Sequence, residues 1–235
     1  MKLAFMHIPK TGGISVERAV AASVPDLNTC PAYYTKEYAG KTFADMPDYD
    51  FYKGHFDFDF MASIPDDYVK VVVVRRPVDL LLSLYNHIGS RQKHRLHEAV
   101  NAPDATFAKV LADNHGLTNT LSKYLLGSTR YKEMMATEGK RAERAEAAVA
   151  QVRQHLATFH VIGLTNKLPD FVTRVADKVG RPLNRPRKEN KNPGTLLSKD
   201  KMSKEDVAAA QRATWLDRPV HRMIIETAFK AEPVA

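Results

Sequence analysis

The chain reads as an α/β protein, a three-layer arrangement in which a mainly parallel sheet carries helices on both faces. Three observations lead there. Strand-like apolar runs alternate with segments of helical periodicity along most of the 235 residues, the pattern that builds parallel sheets through helical crossovers. Val71 to Val74 is an unbroken β-branched run, which suits a strand covered on both faces. A strand, a glycine-bearing turn and a helix follow one another at the start of the chain.

Taken in order, Leu3 to His7 forms the first strand. The loop His7-Ile8-Pro9-Lys10-Thr11-Gly12-Gly13-Ile14-Ser15 leads into a helix over Val16 to Ala22, with Ser15 in its first turn. Residues 25 to 50, rich in Pro, Tyr and Asp, read as irregular or weakly helical. Asp50 to Phe56 is alternating and aromatic, a second strand ending at Gly54-His55. Val69 to Val74 is the third, closed by Arg75-Arg76-Pro77, with Pro well tolerated at a first helical position. In the helix over Val78 to Ile88, Val78, Leu81, Leu82, Tyr85 and Ile88 share one face, expected to lie on the sheet. Asp79, Ser83, Asn86 and His87 form a separate polar stripe. Two short helices are expected within 104–126. A longer one over Glu138 to Leu156 carries the apolar seam Ala145, Ala148, Val149, Val152 and Leu156. Phe159 to Leu164 is a further strand, and Leu168 to Val179 a helix closed by Gly180. Helices over Lys204 to Leu216 and Pro219 to Ala231 finish the chain. With no internal repeat or linker, residues 1–235 read as one domain, with a helical insertion at about 90–157 and a basic loop at about 181–195.

Hydrophobic residues make up 44% of the chain and charged residues 26%, so an ordinary globular core is affordable at this length. Lys plus Arg is 35 against 27 Asp plus Glu, a net charge of +8. That excess favours an anionic ligand without separating nucleotide, acidic glycan, nucleic acid or membrane surface. The single cysteine, Cys30, excludes an intrachain disulfide, suits a reducing compartment and reads as a buried thiol. No apolar stretch approaches the ~20 residues of a membrane span, and the opening run is too short for a signal peptide. A cytoplasmic protein is the expectation.

In parallel sheets ligands sit at the carboxyl ends of the strands. Three segments fall there: Lys10 to Gly13, Gly54-His55 and Arg75-Arg76. The first presents free N–H groups and a positive helix end to an anion, with Lys10 adding charge. Gly12 and Gly13, lacking Cβ atoms, are expected to let the backbone approach a bulky oxyanion. Lys10-Thr11 echoes the end of a Walker A loop, G-x-x-x-x-G-K-[ST], but here the glycines follow the lysine. A nucleotide triphosphatase also needs an acid near its Mg²⁺, where the valine strand ends in two arginines. Metal-free chemistry on a nucleotide with a second phosphate is therefore favoured over a kinase or ATPase. His94, His97 and Glu98 complete no metal set such as H-E-x-x-H. The run Arg185, Arg187, Lys188, Lys191 reads either as a solvated loop or as a cover for an anionic ligand that could also steer an acidic partner. Tyr33, Tyr34 and Tyr38 fit an acceptor cleft or the core.

His-Ile-Pro-Lys-Thr-Gly-Gly-Ile-Ser at 7–15 resembles the 5′-phosphosulfate loop of sulfotransferases that use 3′-phosphoadenosine 5′-phosphosulfate (PAPS). Val74-Arg75-Arg76-Pro77-Val78-Asp79 with Leu82-Ser83-Leu84-Tyr85 resembles their 3′-phosphate motif. Phe51-Tyr52-Lys53-Gly54-His55-Phe56 is similar to the strand bearing the catalytic His of heparan sulfate uronyl 2-O-sulfotransferases. Tyr124-Leu125-Leu126-Gly127, Val161-Ile162-Gly163-Leu164-Thr165 and the basic loop from Arg187 to Lys191 follow in the same order. The chain departs from that pattern at Arg76, where the family commonly has an acid, at Leu80 and Ile14, where it often has Arg and Thr, and at Lys53, usually a second His.

The resemblance implies a P-loop NTPase-like sulfotransferase fold and transfer of a sulfuryl group from PAPS to an acceptor hydroxyl without a metal. Lys10, Thr11, Gly12, Gly13, Ile14 and Ser15 would hold the 5′-phosphosulfate, and Arg75 and Ser83 the 3′-phosphate. Arg187 and Lys188 would close over the cofactor. His55, with an unperturbed pKa of ~6.5, would be the base, and Lys10 would stabilise the leaving phosphate. The likeness and the net charge together point to a carbohydrate acceptor; no nucleic-acid motif is present. Two other classes stay open at this level: a P-loop kinase or NTPase, which would bind Mg-ATP, and a non-enzymatic basic module for polyanions, whose affinity would fall steeply with salt.

Overall fold

The computed structural model describes residues 1–187 and 195–229. The chain runs β1 (Leu3–Met6), α1 (Gly13–Ser23), α2 (Thr35–Tyr38), β2 (Phe51–Gly54), α3 (Phe58–Met61), β3 (Val69–Val74) and α4 (Pro77–Gly89). It continues through α5 (His97–Asn101), α6 (Phe107–Asp113), α7 (Thr120–Leu126), α8 (Ser128–Ala136) and α9 (Arg141–Leu156) to β4 (Val161–Leu164), α10 (Leu168–Val179), α11 (Lys204–Ala213) and α12 (Asp217–Ala228). The four strands form one sheet in the order β2-β1-β3-β4, and every pairing is parallel. The chain leaves β1 toward β2 on one side and returns to β3 on the other, so the order switches at β1. Clefts at such switch points are where parallel sheets bind ligands.

Side chains alternate along each strand and feed two cores. Leu3, Phe5, Val71 and Val73 pack with Val16 and Val20 of α1 and Phe171, Val172 and Val175 of α10. Ala4, Met6, Tyr52, Val72 and Val74 face the other way, toward residues of α3, α7, α9 and α12. Val71 to Val74 are each at most 1% exposed, and four buried valines contribute about 6–12 kcal/mol of transfer free energy. β3 is therefore the spine of the sheet, as its unbroken apolar run requires.

Both rims of the sheet are occupied. Along the outer side of β2, Cys30 N–H donates to the Phe51 carbonyl at 2.9 Å and Phe51 N–H to that of Asn28 at 3.1 Å. Along β4, the Arg174 guanidinium donates to the Ile162 carbonyl at 3.1 Å.

The face expected to place α4 on the sheet does something else. Val78, Leu81, Leu82, Tyr85 and Ile88 join a separate core with Leu96, Val100, Phe107, Leu111 and Ala210, whereas Leu80 packs on the sheet side. Periodicity reveals an apolar stripe but not its partner, and α5, α6 and α11 are that partner. α1 begins at Gly13, not Val16, and takes in Ile14 and Ser15. β2 stops at Gly54, whose φ of 142° turns the chain before His55. The stretch 90–157 holds α5 to α9; α5 and α8, like α3, carry too little apolar periodicity to stand out. Of the basic loop, 181–187 carry no helix or strand and 188–194 lie outside the described residues. Among the described residues no helix is long and apolar enough to cross a membrane.

Candidate functional site

The carboxyl ends of all four strands meet around the first loop. His7 N–H donates to the Gly54 carbonyl at 2.9 Å, joining the ends of β1 and β2. From the end of β3, Arg75 Nη1 donates to the Lys10 carbonyl at 2.9 Å. Just past β4, Thr165 Oγ1 lies 3.0 Å from the Thr11 carbonyl and 3.1 Å from that of Val74. These contacts hold a strained backbone: Lys10 has φ 66° and Gly12 φ 89°. A lysine with positive φ is uncommon and costs on the order of 1 kcal/mol, a cost that recurs at functional sites.

The two glycines serve packing rather than ligand access on their Cβ side. A Cβ on Gly12 would meet Leu168 Cδ1 at 2.7 Å, and one on Gly13 would meet the His7 ring at 2.1 Å. The space kept by the absent side chains is filled by the protein. Thr11 is fully buried and its hydroxyl donates to the Ile8 carbonyl at 2.8 Å, so its side chain is not open to a ligand. Ser15 is also buried, and Ile14 is exposed. α1 opens at Gly12 with no side-chain cap, leaving first-turn N–H groups and the positive helix end for an anion.

Positive charge is concentrated beside that helix end. The Lys10 ammonium is held below its usual range by burial and then by the charges of Arg75 and Arg91. Burial also lowers Arg75, with Asp79 opposing. His87 is lowered to about 4 by burial and then by Lys10, Arg91 and His94. None of Lys10, Arg75 and Arg91 forms an ion pair with a described residue. Arg91 and His87 were not among the expected site residues. Their signal was the spacing, since Ser83, His87 and Arg91 stand four apart and so on one side of α4 and its end. Asn86, on the same polar stripe, instead exchanges two hydrogen bonds with the Leu197 main chain, at 2.8 and 3.0 Å.

His55 sits beside this cluster. Its Nδ1–H donates to the His7 carbonyl at 2.7 Å. Because a carbonyl only accepts, the neutral ring carries its lone pair on Nε2. Its pKa is not the unperturbed value expected: burial, then the neighbouring His7, lower it to about 4. The two imidazole centroids are 4.6 Å apart. His7 in turn places Nδ1 2.7 Å from Glu17 Oε1 and 2.9 Å from the Tyr33 hydroxyl. Lys53 Nζ lies 3.6 Å from Glu17 and 4.6 Å from the centre of the Tyr33 ring. Burial, followed by Glu17, pushes the Tyr33 hydroxyl well above its usual range. Glu17, invisible as a site residue in the sequence, thus ties together a histidine, a tyrosine and a lysine beside His55.

The remaining expectations separate. Arg187 is exposed, and Lys188 lies outside the described residues. Tyr38 is buried, and its hydroxyl donates to the Ala32 carbonyl at 2.7 Å with that of Lys53 3.0 Å away, beside the buried Cys30. His94 accepts from Leu96 N–H at 3.1 Å, and His97 Nδ1 lies 3.3 Å from the Ile88 carbonyl, so both serve local structure. The assembled site offers an uncapped helix end, three clustered cations, and an imidazole nitrogen able to accept a proton.

The chain matches no protein-family model, and a search of curated proteins finds no match.

Proposed function

We propose that the protein is a PAPS-dependent sulfotransferase of P-loop-like fold, acting on an acceptor hydroxyl of a carbohydrate. The observation that carries this is the meeting of Arg75 with the Lys10 loop. Two motifs far apart in sequence, each matching a phosphate-binding element of that family, are joined by a 2.9 Å hydrogen bond. Around them the charges of Lys10, Arg75 and Arg91 repel one another, an arrangement that an anion of several negative charges would relieve. The donor set fits a nucleotide with two separate phosphate-type groups.

When bound, PAPS would supply an activated sulfuryl group whose S–O bond to the 5′-phosphate breaks as the acceptor oxygen bonds to sulfur. His55 Nε2 takes the acceptor proton as its hydroxyl becomes acidic. With its pKa near 4, the ring is unprotonated at neutral pH, and as a weak base it takes the proton only late, once the acceptor oxygen has bonded well to sulfur. Lys10 and the first-turn N–H groups of α1 stabilise the negative charge growing on the phosphate side, as preorganised donors do in phosphoryl transfer. Arg75 and Ser83 bind the 3′-phosphate and so favour PAPS over ATP. Glu17 and His7 orient His55 through the His7 main chain.

Calorimetric titration with adenosine 3′,5′-bisphosphate, AMP and Mg-ATP tests the assignment. Tight binding of the bisphosphate alone supports it; preference for Mg-ATP makes the protein a kinase or NTPase instead.

A further inference from the structure

A second basic concavity lies away from the strand ends. It has a volume of about 500 Å³ and sits among α6, α7, α8, α9 and α11, with Lys123, Arg141, Arg212, Tyr131, Trp215 and Asn119 on its walls. Among the described residues no Asp or Glu lines it. None of its three cations forms an ion pair with a described residue. Lys123 Nζ lies 5.4 Å from the centre of the Tyr131 ring and donates to the Gly116 carbonyl at 3.0 Å. The Arg141 and Arg144 guanidinium groups stand 5.6 and 5.8 Å from the centre of Trp215. Arg144 also holds a buried Nε–H that no described group accepts.

The main chain beneath the groove is held at fixed positions. Asp217, fully buried at the start of α12, accepts from Leu121 and Ser122 N–H at 3.2 and 2.7 Å. Asn119 accepts from Leu216 N–H at 3.0 Å, and its own N–H donates to the Ala213 carbonyl at 2.8 Å. A fixed floor loses little freedom on binding, and the size of the groove is that of a small-molecule site. α7 divides it from the site above: Lys123 faces the groove, while the next residue, Tyr124, reaches Thr35, whose hydroxyl donates to the His55 carbonyl at 2.8 Å.

We propose that this groove binds a small organic anion that carries two or more acidic groups and a ring with a flat face. Lys123, Arg141 and Arg212 meet the acidic groups, and Trp215 and Tyr131 meet the ring face. A sulfated sugar and a nucleotide phosphate share that chemistry. The proposal stands apart from the sulfotransferase assignment, since none of its residues belongs to the strand-end site.

Trp215 is the only tryptophan, so its fluorescence reports on the groove directly. The whole protein is titrated separately with a trisulfated disaccharide, with metal-free ATP and with neutral cellobiose. A saturable change with the disaccharide or with ATP, and none with cellobiose, supports the proposal and identifies the source. Affinity should weaken about tenfold in Lys123→Gln/Arg212→Gln and stay unchanged in Lys10→Ala. If the double variant misfolds by circular dichroism, Arg212→Glu at an exposed position replaces it, with the same weakening expected. No response to either anion, an equal response to cellobiose, or loss of the response in Lys10→Ala overturns the proposal. Calorimetry with adenosine 3′,5′-bisphosphate is run on the Lys123→Gln/Arg212→Gln protein, where tight binding that remains belongs to the strand-end site.

Discussion

Gly13→Ala should destabilise the protein more than any other single methyl group added to the first loop. The new Cβ would lie 2.1 Å from His7 Cδ2, 2.2 Å from Nε2 and 2.4 Å from Cγ. Contact between carbon atoms wants about 3.5–4.0 Å, so ring or helix must move by well over an ångström. The ring has nowhere to go: it stacks on Phe5 with centroids 5.6 Å apart and bonds Glu17 at 2.7 Å. Overpacking costs about 1–3 kcal/mol, and weakening a charge-assisted hydrogen bond adds about 1–2 kcal/mol. The higher helix propensity of Ala returns less than ~1 kcal/mol. The expected loss is about 2–4 kcal/mol, read as a lower urea midpoint at unchanged m-value. His7→Ala in the same chain removes the obstruction, so the double variant should lose at least about 1 kcal/mol less than the two single losses added. A Gly13→Ala protein within about 0.5 kcal/mol of the parent, or strictly additive variants, would refute the packing role assigned to Gly13.

Lys10→Ala should cost on the order of 10²–10³ in turnover with PAPS, and His55→Ala ~10²–10⁴; normal turnover by a His55→Ala protein that still binds the bisphosphate removes His55 as the base. Because His55 titrates near 4 when folded and near ~6.5 when unfolded, the unfolded chain binds more protons between those values. Stability should therefore be full above about pH 6.5 and fall as pH drops toward 4, by up to ~1.4 kcal/mol per pH unit from this one group. His87 acts in the same direction, and urea melts of His55→Gln across that window should show a shallower slope. Asp217→Asn keeps the shape but leaves one of two bonded N–H groups of α7 without an acceptor, a loss of about 1–3 kcal/mol measurable by the same melts at pH 7.

The parts of the fold that were legible in the sequence are those written in single-residue chemistry. The valine run marked β3, Pro77 the start of α4, and Gly180, at φ 65°, the end of α10. What stayed hidden depended on partners distant along the chain. The apolar stripe of α4 was visible, but not that α5, α6 and α11 would cover it. The candidate site divides the same way. Lys10, His55 and Arg75 stand at strand ends that a parallel sheet brings together, so their neighbourhood could be read. Glu17 could not, because its importance lies in being 2.7 Å from His7, and nothing in an ordinary helical glutamate announces that. The glycines were legible as necessary but not in what required them, since the side chain filling the space beside Gly13 is that of His7, at the other end of the same loop.

The rims of the sheet bear on how this chain behaves in a crowd. A parallel sheet of four strands has two open sides, each a template on which an unfolded or neighbouring chain could add a strand. Here one side is paired with the chain's own residues 28–30, and the other carries a guanidinium on a main-chain oxygen. An incoming strand on that second side would have to displace Arg174 and bring its own backbone alongside a positive charge. The edge strands β2 and β4 are thus both blunted against the addition of a strand from a neighbouring chain.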